Sequence, residues 1–326
     1  MPCILGIDTS CDDTGVGLVL DGKIIANVVA SQTALHDRFG GIVPEQASRE
    51  HLSILDSVFT EAINQAGISL KDIDTVAATY GPGLIGSLLV GLSYGRSFAW
   101  SRNLRFLKIH HLEGHIASSF ATENVKTPFL CLIASGGHTS LFQVDDWGSY
   151  VELGSTRDDA AGEAFDKIAR LLGLPYPGGP PLSQLALSGN TDIYKLPRPL
   201  WVQNGFDFSF SGLKTAVVTL MDRTPNANRA DVAASFQEAV VDSLIHTTVR
   251  AAKQTQLRRL VVAGGVAANQ RLREKLKDQD LEIHVPPPDL TTDNGAMIAL
   301  AAYRQLKTRP NSDWTTDAQP YLPLAN

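Results

Sequence analysis

Ile4-Leu5-Gly6-Ile7-Asp8-Thr9-Ser10-Cys11-Asp12-Asp13-Thr14 opens the chain with a short apolar strand, Ile4–Asp8, that enters a polar turn at Thr9–Asp13. Gly15–Leu20 alternates, Asp21-Gly22 is a hairpin turn, and Lys23–Ala30 reads as a third strand. The same grammar restarts roughly 125 residues later, as repeated units do. Phe129–Ala134 is an apolar strand, Ser135-Gly136-Gly137-His138-Thr139 a polar turn, Ser140–Val144 alternates, Trp147-Gly148 turns and Tyr150–Gly154 returns.

Outward from these hairpins, the first half continues as helix Pro44–Ala66, strand Thr75–Tyr80, helix Ile85–Trp100, strand Phe106–His110 and a helix beginning near Leu112. The second half gives helix Ala230–Gln254, strand Arg259–Ala263, a helix from Asn269, strand Glu282–Val285 and helix Asn294–Leu306. Each half runs hairpin, helix, strand, helix, strand, helix. That order predicts two mixed-sheet α/β domains facing a cleft, matched in pattern rather than in residue identity. The expected boundaries are 1–126, 127–307 and an irregular C-terminal arm at 308–326. The second half carries an insert at 157–229, rich in Gly and Pro, and loops of that length are usually lids or binding loops.

Composition narrows the class. The 326 residues are 44% hydrophobic and 19% charged, which excludes a disordered chain or a coiled coil. Cys3, Cys11 and Cys131 are scattered and form no CxxC pair, so a reducing compartment fits better than a disulfide scaffold. The N-terminus has no basic region before its first strand, and the most apolar stretch, Leu84–Leu92, is far short of the ~20 residues a membrane span needs. A soluble cytoplasmic protein is expected. The net charge of −6 argues against indiscriminate nucleic-acid binding. Ile245–Lys277 nevertheless holds eight basic residues against the single acid Glu274, a local patch suited to phosphates or a pair of solvated helix faces.

His111 and His115 are spaced i, i+4 at a strand-to-helix junction, so both imidazoles can share one metal. Glu113 lies about 200° around the helix from His111 and points away, so the zinc-protease pattern fails. Gly-rich turns at Ser135-Gly136-Gly137, Gly178-Gly179 and Gly264-Gly265 follow predicted strands, where backbone N–H groups can meet phosphate. Neither a P-loop nor a Gly-x-Gly-x-x-Gly helix start is present. Asp8, Asp12 and Asp13 flank the first turn. Asp158, Asp159, Glu163 and Asp166 open the helix that begins the insert, and Asp293 precedes the last helix. Most such acids cap helices; a third metal ligand would come from the same set. Ser87, Gly91 and Gly95 form a stripe of small residues that permits close helix approach, within the domain or against a partner.

Ile7-Asp8-Thr9-Ser10-Cys11-Asp12-Asp13-Thr14, His111-Leu112-Glu113-Gly114-His115, Ser135-Gly136-Gly137-His138-Thr139, Asp158 through Lys167, Phe208 through Lys214, Gly264 through Asn269 and Thr292-Asp293-Asn294-Gly295-Ala296 together resemble the tRNA threonylcarbamoyladenosine-forming transferases. The match runs in order through nearly the whole chain. The resemblance implies a duplicated actin-like fold shared with sugar kinases and heat-shock ATPases. It implies a divalent metal, iron before zinc, on His111, His115 and Asp293. Threonylcarbamoyl-AMP, or ATP or ADP, would lie against Ile133, Ala134, Ser135, Gly136, Gly137, Asp166, Gly179, Ser183 and Asn269. In the family's usual pattern glutamate stands at the positions of Asp8 and Asp13, and aspartate often stands at that of Ser183.

The implied reaction is acyl transfer from threonylcarbamoyl-AMP to N6 of adenosine 37 in tRNAs that read ANN codons, with AMP leaving. Asp12 or Asp13 would accept the amine proton or orient the base. The implied partners are tRNA and either a paralogous actin-like subunit with a small ATPase subunit or a second copy of the chain, with no membrane. Two rivals are an actin-like ATPase or small-molecule kinase, which would release ADP, and a catalytically idle scaffold. In this reading the stripe on Ile85–Trp100 meets a related subunit, or a second copy in its absence. Arg271, Arg273, Lys275 and Lys277 are the candidates to hold tRNA phosphates, Arg271 and Lys275 sharing one helix face.

Overall fold

β1 (Cys3–Asp8) is buried along its whole length because both of its faces are covered. Its side chains alternate. Leu5 and Ile7 enter a core with Leu55 and Phe59 of α2 (Pro44–Ala66) and Leu88 and Leu92 of α3 (Ile85–Ser101). Gly6, on the other face, lies against Gly295 and Ala299 of α10 (Gly295–Gln305). The computed structural model describes residues 1–122, 125–308, 311 and 314–325. The chain divides into two compact units, Met1–Val125 with Thr292–Asn326, and Lys126–Thr291.

The first unit holds a mixed sheet in the order β3-β2-β1-β4-β5. β2 (Asp13–Leu20) and β3 (Lys23–Ser31) pair antiparallel in a hairpin, while β4 (Thr75–Gly81) and β5 (Arg105–His110) run parallel to β1. α1 (Thr33–Asp37) follows β3, and α4 (His111–Ser118) follows β5 directly. The second unit repeats the scheme. β6 (Phe129–Ala134), β7 (Thr139–Asp146) and β8 (Ser149–Ser155) are antiparallel, and β9 (Arg259–Ala263) and β10 (Glu282–His284) are parallel to β6. Its order, β8-β7-β6-β9-β10, is that of the first sheet. The duplication read from the sequence is therefore a duplication of topology.

Three expectations need correction. The second domain was expected to run through residue 307, but α10 belongs to the first unit. The cause is local: Cβ atoms at Gly17 and Gly295 would sit 2.2 Å from Ala296 N and 2.3 Å from Gly17 N, so only glycine lets α10 rest on the β1–β2 hairpin.

The insert is not one long loop, although residues 187–210 lie outside any helix or strand. It folds as α5 (Ala161–Leu171), α6 (Gly179–Ala186) and α7 (Ser211–Arg223), with Phe165, Leu182, Phe208, Phe210, Leu213 and Val217 buried beside α8 (Arg229–Thr255). Gly and Pro mark the junctions of these helices, which is why the segment read as loop.

The small-residue stripe faces inward. Gly91 meets Thr9 Oγ1, Gly95 meets Ala78 and Ile7, and Ser87 is fully buried. Thr9 Oγ1 donates to the Ser87 carbonyl at 2.7 Å and accepts from Gly91 N at 3.1 Å, so the stripe seats α3 on its own sheet. The solvent face of α3 carries Ile85, Leu89 and Trp100 instead.

The expected C-terminal arm falls partly outside the described residues. Its described part packs on the first unit: Trp314 stacks on Phe106 at 6.1 Å between ring centroids, and Arg96 donates to the Trp314 and Thr316 carbonyls. No helix among the described residues is long and apolar enough to cross a membrane.

Candidate metal centre and active site

α4 begins where β5 ends, so His111 and His115 fall on one face of a helix rooted in the sheet. Gly114, between them, faces Met297 and Ile298 of α10, and a Cβ there would come within 2.8 Å of Ile298. Close packing of α4 on α10 brings in Asp293, two residues before α10 begins. The ligand atoms of His111, His115 and Asp293 lie within 4.8 Å of one another. The expected boundary at 307 puts Asp293 in the second domain, apart from both histidines. Asp293 belongs to the same unit as both histidines, because the chain returns to that unit at Thr292.

The surroundings order this trio. Asp8 is fully buried and accepts from Thr79 Oγ1 at 2.5 Å and Ser10 Oγ at 3.1 Å. His111 Nδ1 stands 3.1 Å from Ser10 Oγ and 3.4 Å from Asp8 Oδ1. A proton on Nδ1 faces these acceptors, and Nε2 faces Asp293 Oδ1, 3.5 Å away, the nitrogen a metal would take in place of a proton. Carboxylate behind imidazole is the usual support of a metal-binding histidine. Burial alone lowers the His111 pKa, but Asp293 and Asp8 outweigh it and hold the ring at about 9 without a cation.

His115 provides the test of fit. Its side chain is fully buried and neither ring nitrogen has a hydrogen-bond partner among the described residues, although Nε2 stands 3.2 Å from Asp293 Oδ1. Buried polar groups left so cost about 1–3 kcal/mol. Two imidazole nitrogens and a carboxylate are a donor set for a borderline divalent ion such as zinc or ferrous iron. The residues fit a metal. Glu113 does point elsewhere, accepting from Gln305 Nε2 of α10 at 2.7 Å.

Asp12 and Asp13 stand within electrostatic reach of Asp293. Burial raises both, and neighbouring carboxylates add to it; Asp13 reaches about 7 despite a hydrogen bond from Ser31. Asp13 Oδ1 is buried without a hydrogen-bond partner among the described residues.

The expected substrate residues all lie in the second unit. Ile133 and Ala134 end β6. Gly136 and Gly137 follow with open space where side chains would be. Ser135 ties the turn, donating its N–H to the His138 carbonyl and accepting the His138 N–H on Oγ. β6 and β9 run parallel, so the turns after Ala134 and Ala263 emerge side by side, and Gly264, at φ 90°, passes against the Ala134 carbonyl. Carboxyl ends of parallel strands are where such sheets bind ligands.

Asp166 accepts from Gly178 N at 2.7 Å, fixing the start of α6 at Gly179. Gly178-Gly179 thus follows a helix and a loop, not a strand as expected. Asn269 Nδ2 donates to Ser183 Oγ and to Gln237 Oε1, both at 2.9 Å, while its Oδ1 caps α9 (Gln270–Lys277). Gln237 and Thr79 were not found from the sequence. A buried Gln among the apolar residues of α8 was the available signal for the first, and nothing marked the second.

Arg271, Arg273 and Lys275 of the basic segment are engaged within their own unit. Arg271 donates to Glu238 at 2.7 Å, Lys275 is paired with Glu238 and Asp242, and Arg273 donates to the Ala267 and Pro286 carbonyls. The partner acids lie just upstream of Ile245, so a count over Ile245–Lys277 missed them.

The model of the tRNA N6-adenosine threonylcarbamoyltransferase family, TsaD, matches residues 23–300. The chain belongs to that family. A tRNA N6-adenosine threonylcarbamoyltransferase of Thermus thermophilus is 54% identical over 98% of both chains, and one of Kosmotoga olearia is 48% identical over 99% of both. Among solved structures, component A of the (R)-2-hydroxyglutaryl-CoA dehydratase of Acidaminococcus fermentans superposes with TM-score 0.59 at 17% identity, over 94% of this chain and all of that one. HypF of T. kodakarensis gives 0.64 at 15% identity, over 94% of this chain and 48% of its own. These likenesses are of fold, the actin-like ATPase architecture. The chain is a family transferase acting in tRNA modification, and its relatives do not favour the kinase alternative.

Proposed function

We propose that the chain transfers the threonylcarbamoyl group of threonylcarbamoyl-AMP to N6 of adenosine 37 in tRNAs reading ANN codons and releases AMP. The observation that carries this reading at the site is His115, buried with two unpartnered ring nitrogens beside His111 and Asp293. Those three residues would hold one divalent ion, iron in preference to zinc. When bound, it supplies Lewis-acid polarisation of an oxygen on the acyl adenylate.

N6 attacks the carbamoyl carbon, the bond from that carbon to the phosphate oxygen breaks, and the electron pair leaves with AMP. The proton lost from N6 passes to Asp13, whose raised pKa suits a base working near neutrality. Asp12 orients the adenine. The open backbone at Gly136 and Gly137 receives the phosphate, and Ile133, Ala134, Ser135, Asp166, Gly179, Ser183 and Asn269 seat the rest of the nucleotide. Because the anhydride is already activated, alignment supplies most of the rate. A paralogous subunit with a small ATPase, or a second copy, is the expected protein partner in the cytoplasm. ATP or ADP would occupy the same seat.

The test supplies threonylcarbamoyl-AMP directly to unmodified tRNA. AMP release and modified adenosine are expected, both lost with chelator and restored by ferrous iron. Release of ADP from ATP without tRNA modification would overturn the reading.

A further inference from the structure

Behind the Cys11–Asp13 turn, the first unit buries a polar cluster with no role in the transfer described above: Thr14, Gln32, His36 and His51, all at most 3% exposed. Backbone groups close both ends of this cluster, so every proton in it can be placed. The Val43 N–H only donates; His36 Nδ1, 3.3 Å away, must accept, and Nε2 carries the proton. That Nε2–H donates to Gln32 Oε1 at 3.0 Å, which fixes the amide. Gln32 Nε2 then donates to the Ala47 carbonyl and to His51 Nδ1, each at 3.2 Å. Thr14 Oγ1 donates to the same Nδ1 at 2.7 Å.

The other end gives the same answer independently. The Cys11 carbonyl only accepts, so His51 Nε2, 3.0 Å away, carries a proton and Nδ1 is the acceptor. Gln32 also donates its backbone N–H to the Asp12 carbonyl at 3.1 Å. Two consecutive carbonyls of the turn are thus held by residues far along the chain. Burial lowers the His51 pKa, in keeping with a neutral ring.

We infer that His36, Gln32 and His51 are positioning residues of the transfer reaction, a one-directional chain of hydrogen bonds between two neutral histidines that holds the Cys11–Asp13 turn. The inference rests on the assignment of Asp13 as base in the preceding subsection. Ser31 donates to the Asp13 carboxylate, and Oδ1 has no hydrogen-bond partner among the described residues, so the placement of that free oxygen follows the turn backbone that carries the side chain. Fully satisfied buried networks select one arrangement of the groups they join. Misplacing a reacting group by about 1 Å costs on the order of a hundredfold in rate.

The experiment compares wild type, His51→Asn, His51→Gln, Asp13→Asn and the double variant His51→Asn/Asp13→Asn, using unmodified tRNA and synthetic threonylcarbamoyl-AMP. Asparagine keeps an acceptor near Thr14 but loses the donor to Cys11; glutamine keeps the donor. In His51→Asn, kcat should fall about tenfold to a hundredfold, with KM for threonylcarbamoyl-AMP and metal content at wild type. His51→Gln should recover most of kcat, and the double variant should be no slower than Asp13→Asn. Wild-type kcat in His51→Asn, or losses that multiply in the double variant, would overturn the positioning role while leaving Asp13 as base. Wild-type kcat in Asp13→Asn would overturn the base assignment, and the relay's purpose with it. Should His51→Asn fail to fold, Gln32→Met takes its place with the same readings, since it removes the amide link but keeps the Gln32 backbone bond to Asp12.

Discussion

His110 donates its Nε2–H to the Leu322 carbonyl at 3.1 Å while its Nδ1 accepts from Leu112 N at 3.1 Å. The residue just before the first proposed metal ligand is therefore fastened to the last turn of the chain. The same tail takes the Tyr80 carbonyl at Gln319 N and the Gly83 N–H at Pro320, and Leu84 N donates to the Ser10 carbonyl. Ser10 is the residue whose hydroxyl stands against His111. The tail thus braces both approaches to the trio.

Ending the chain after Gln319 removes the bonds at Pro320 and Leu322 but keeps the one at Tyr80. Metal affinity should weaken about tenfold, the loss typical of an outer support, with a small change in Tm. A competitive chelator titration measures it, and wild-type affinity in the shortened chain would show that the tail only covers the fold.

Metal should stabilise the wild-type protein and leave His115→Leu unmoved. At a free concentration one hundred times Kd the gain is about 2.7 kcal/mol, read as a rise in Tm. Without metal, His115→Leu should be close to wild type in stability, because losing the 3.2 Å contact of Nε2 with Asp293 is offset by removing buried ring nitrogens that make no hydrogen bond among the described residues. An equal rise with metal in both proteins would place the ion elsewhere.

Gly17→Ala and Gly295→Ala put a Cβ 2.2 Å and 2.3 Å from backbone nitrogens across the α10–hairpin contact. Overpacking of this kind costs roughly 1–3 kcal/mol or more. Because α10 carries Asp293 to the histidines, both variants should also lose metal. Retention of full metal content at reduced stability would mean that Asp293 is held independently of the helix.

The same contact explains what the sequence could and could not disclose. The hairpins, Pro44–Ala66 and Arg259–Ala263 were legible because local periodicity and turn residues decide them. His111 and His115 were legible because helical spacing brings them together. That Asp293 joins them within one unit was not, since it depends on Gly17 meeting Gly295, two glycines far apart that carry no pattern. Gln32, His36 and His51 were equally hidden, because a buried hydrogen-bond chain leaves no period. The inward turn of Ser87, Gly91 and Gly95 depended on Thr9, a partner in another element.

Glu238 gives the pH-dependent case. Burial raises its carboxyl, but hydrogen bonds from Arg271 and Lys275 outweigh that and hold its pKa at about 2, below its ordinary 4.5. A depressed carboxylate contributes stability above the unfolded pKa and loses it as pH falls through the folded one. The Tm difference between wild type and Glu238→Gln should therefore be full at pH 7 and shrink from about pH 4.5 toward pH 2. Replacing both cations, Arg271→Gln with Lys275→Gln, leaves Glu238 buried without its partners and should also lower Tm at pH 7. Since these cations are engaged with α8, that double variant should bind tRNA with the wild-type affinity and salt dependence. A weaker affinity with a shallower salt slope would show that the two side chains leave Glu238 to contact phosphate.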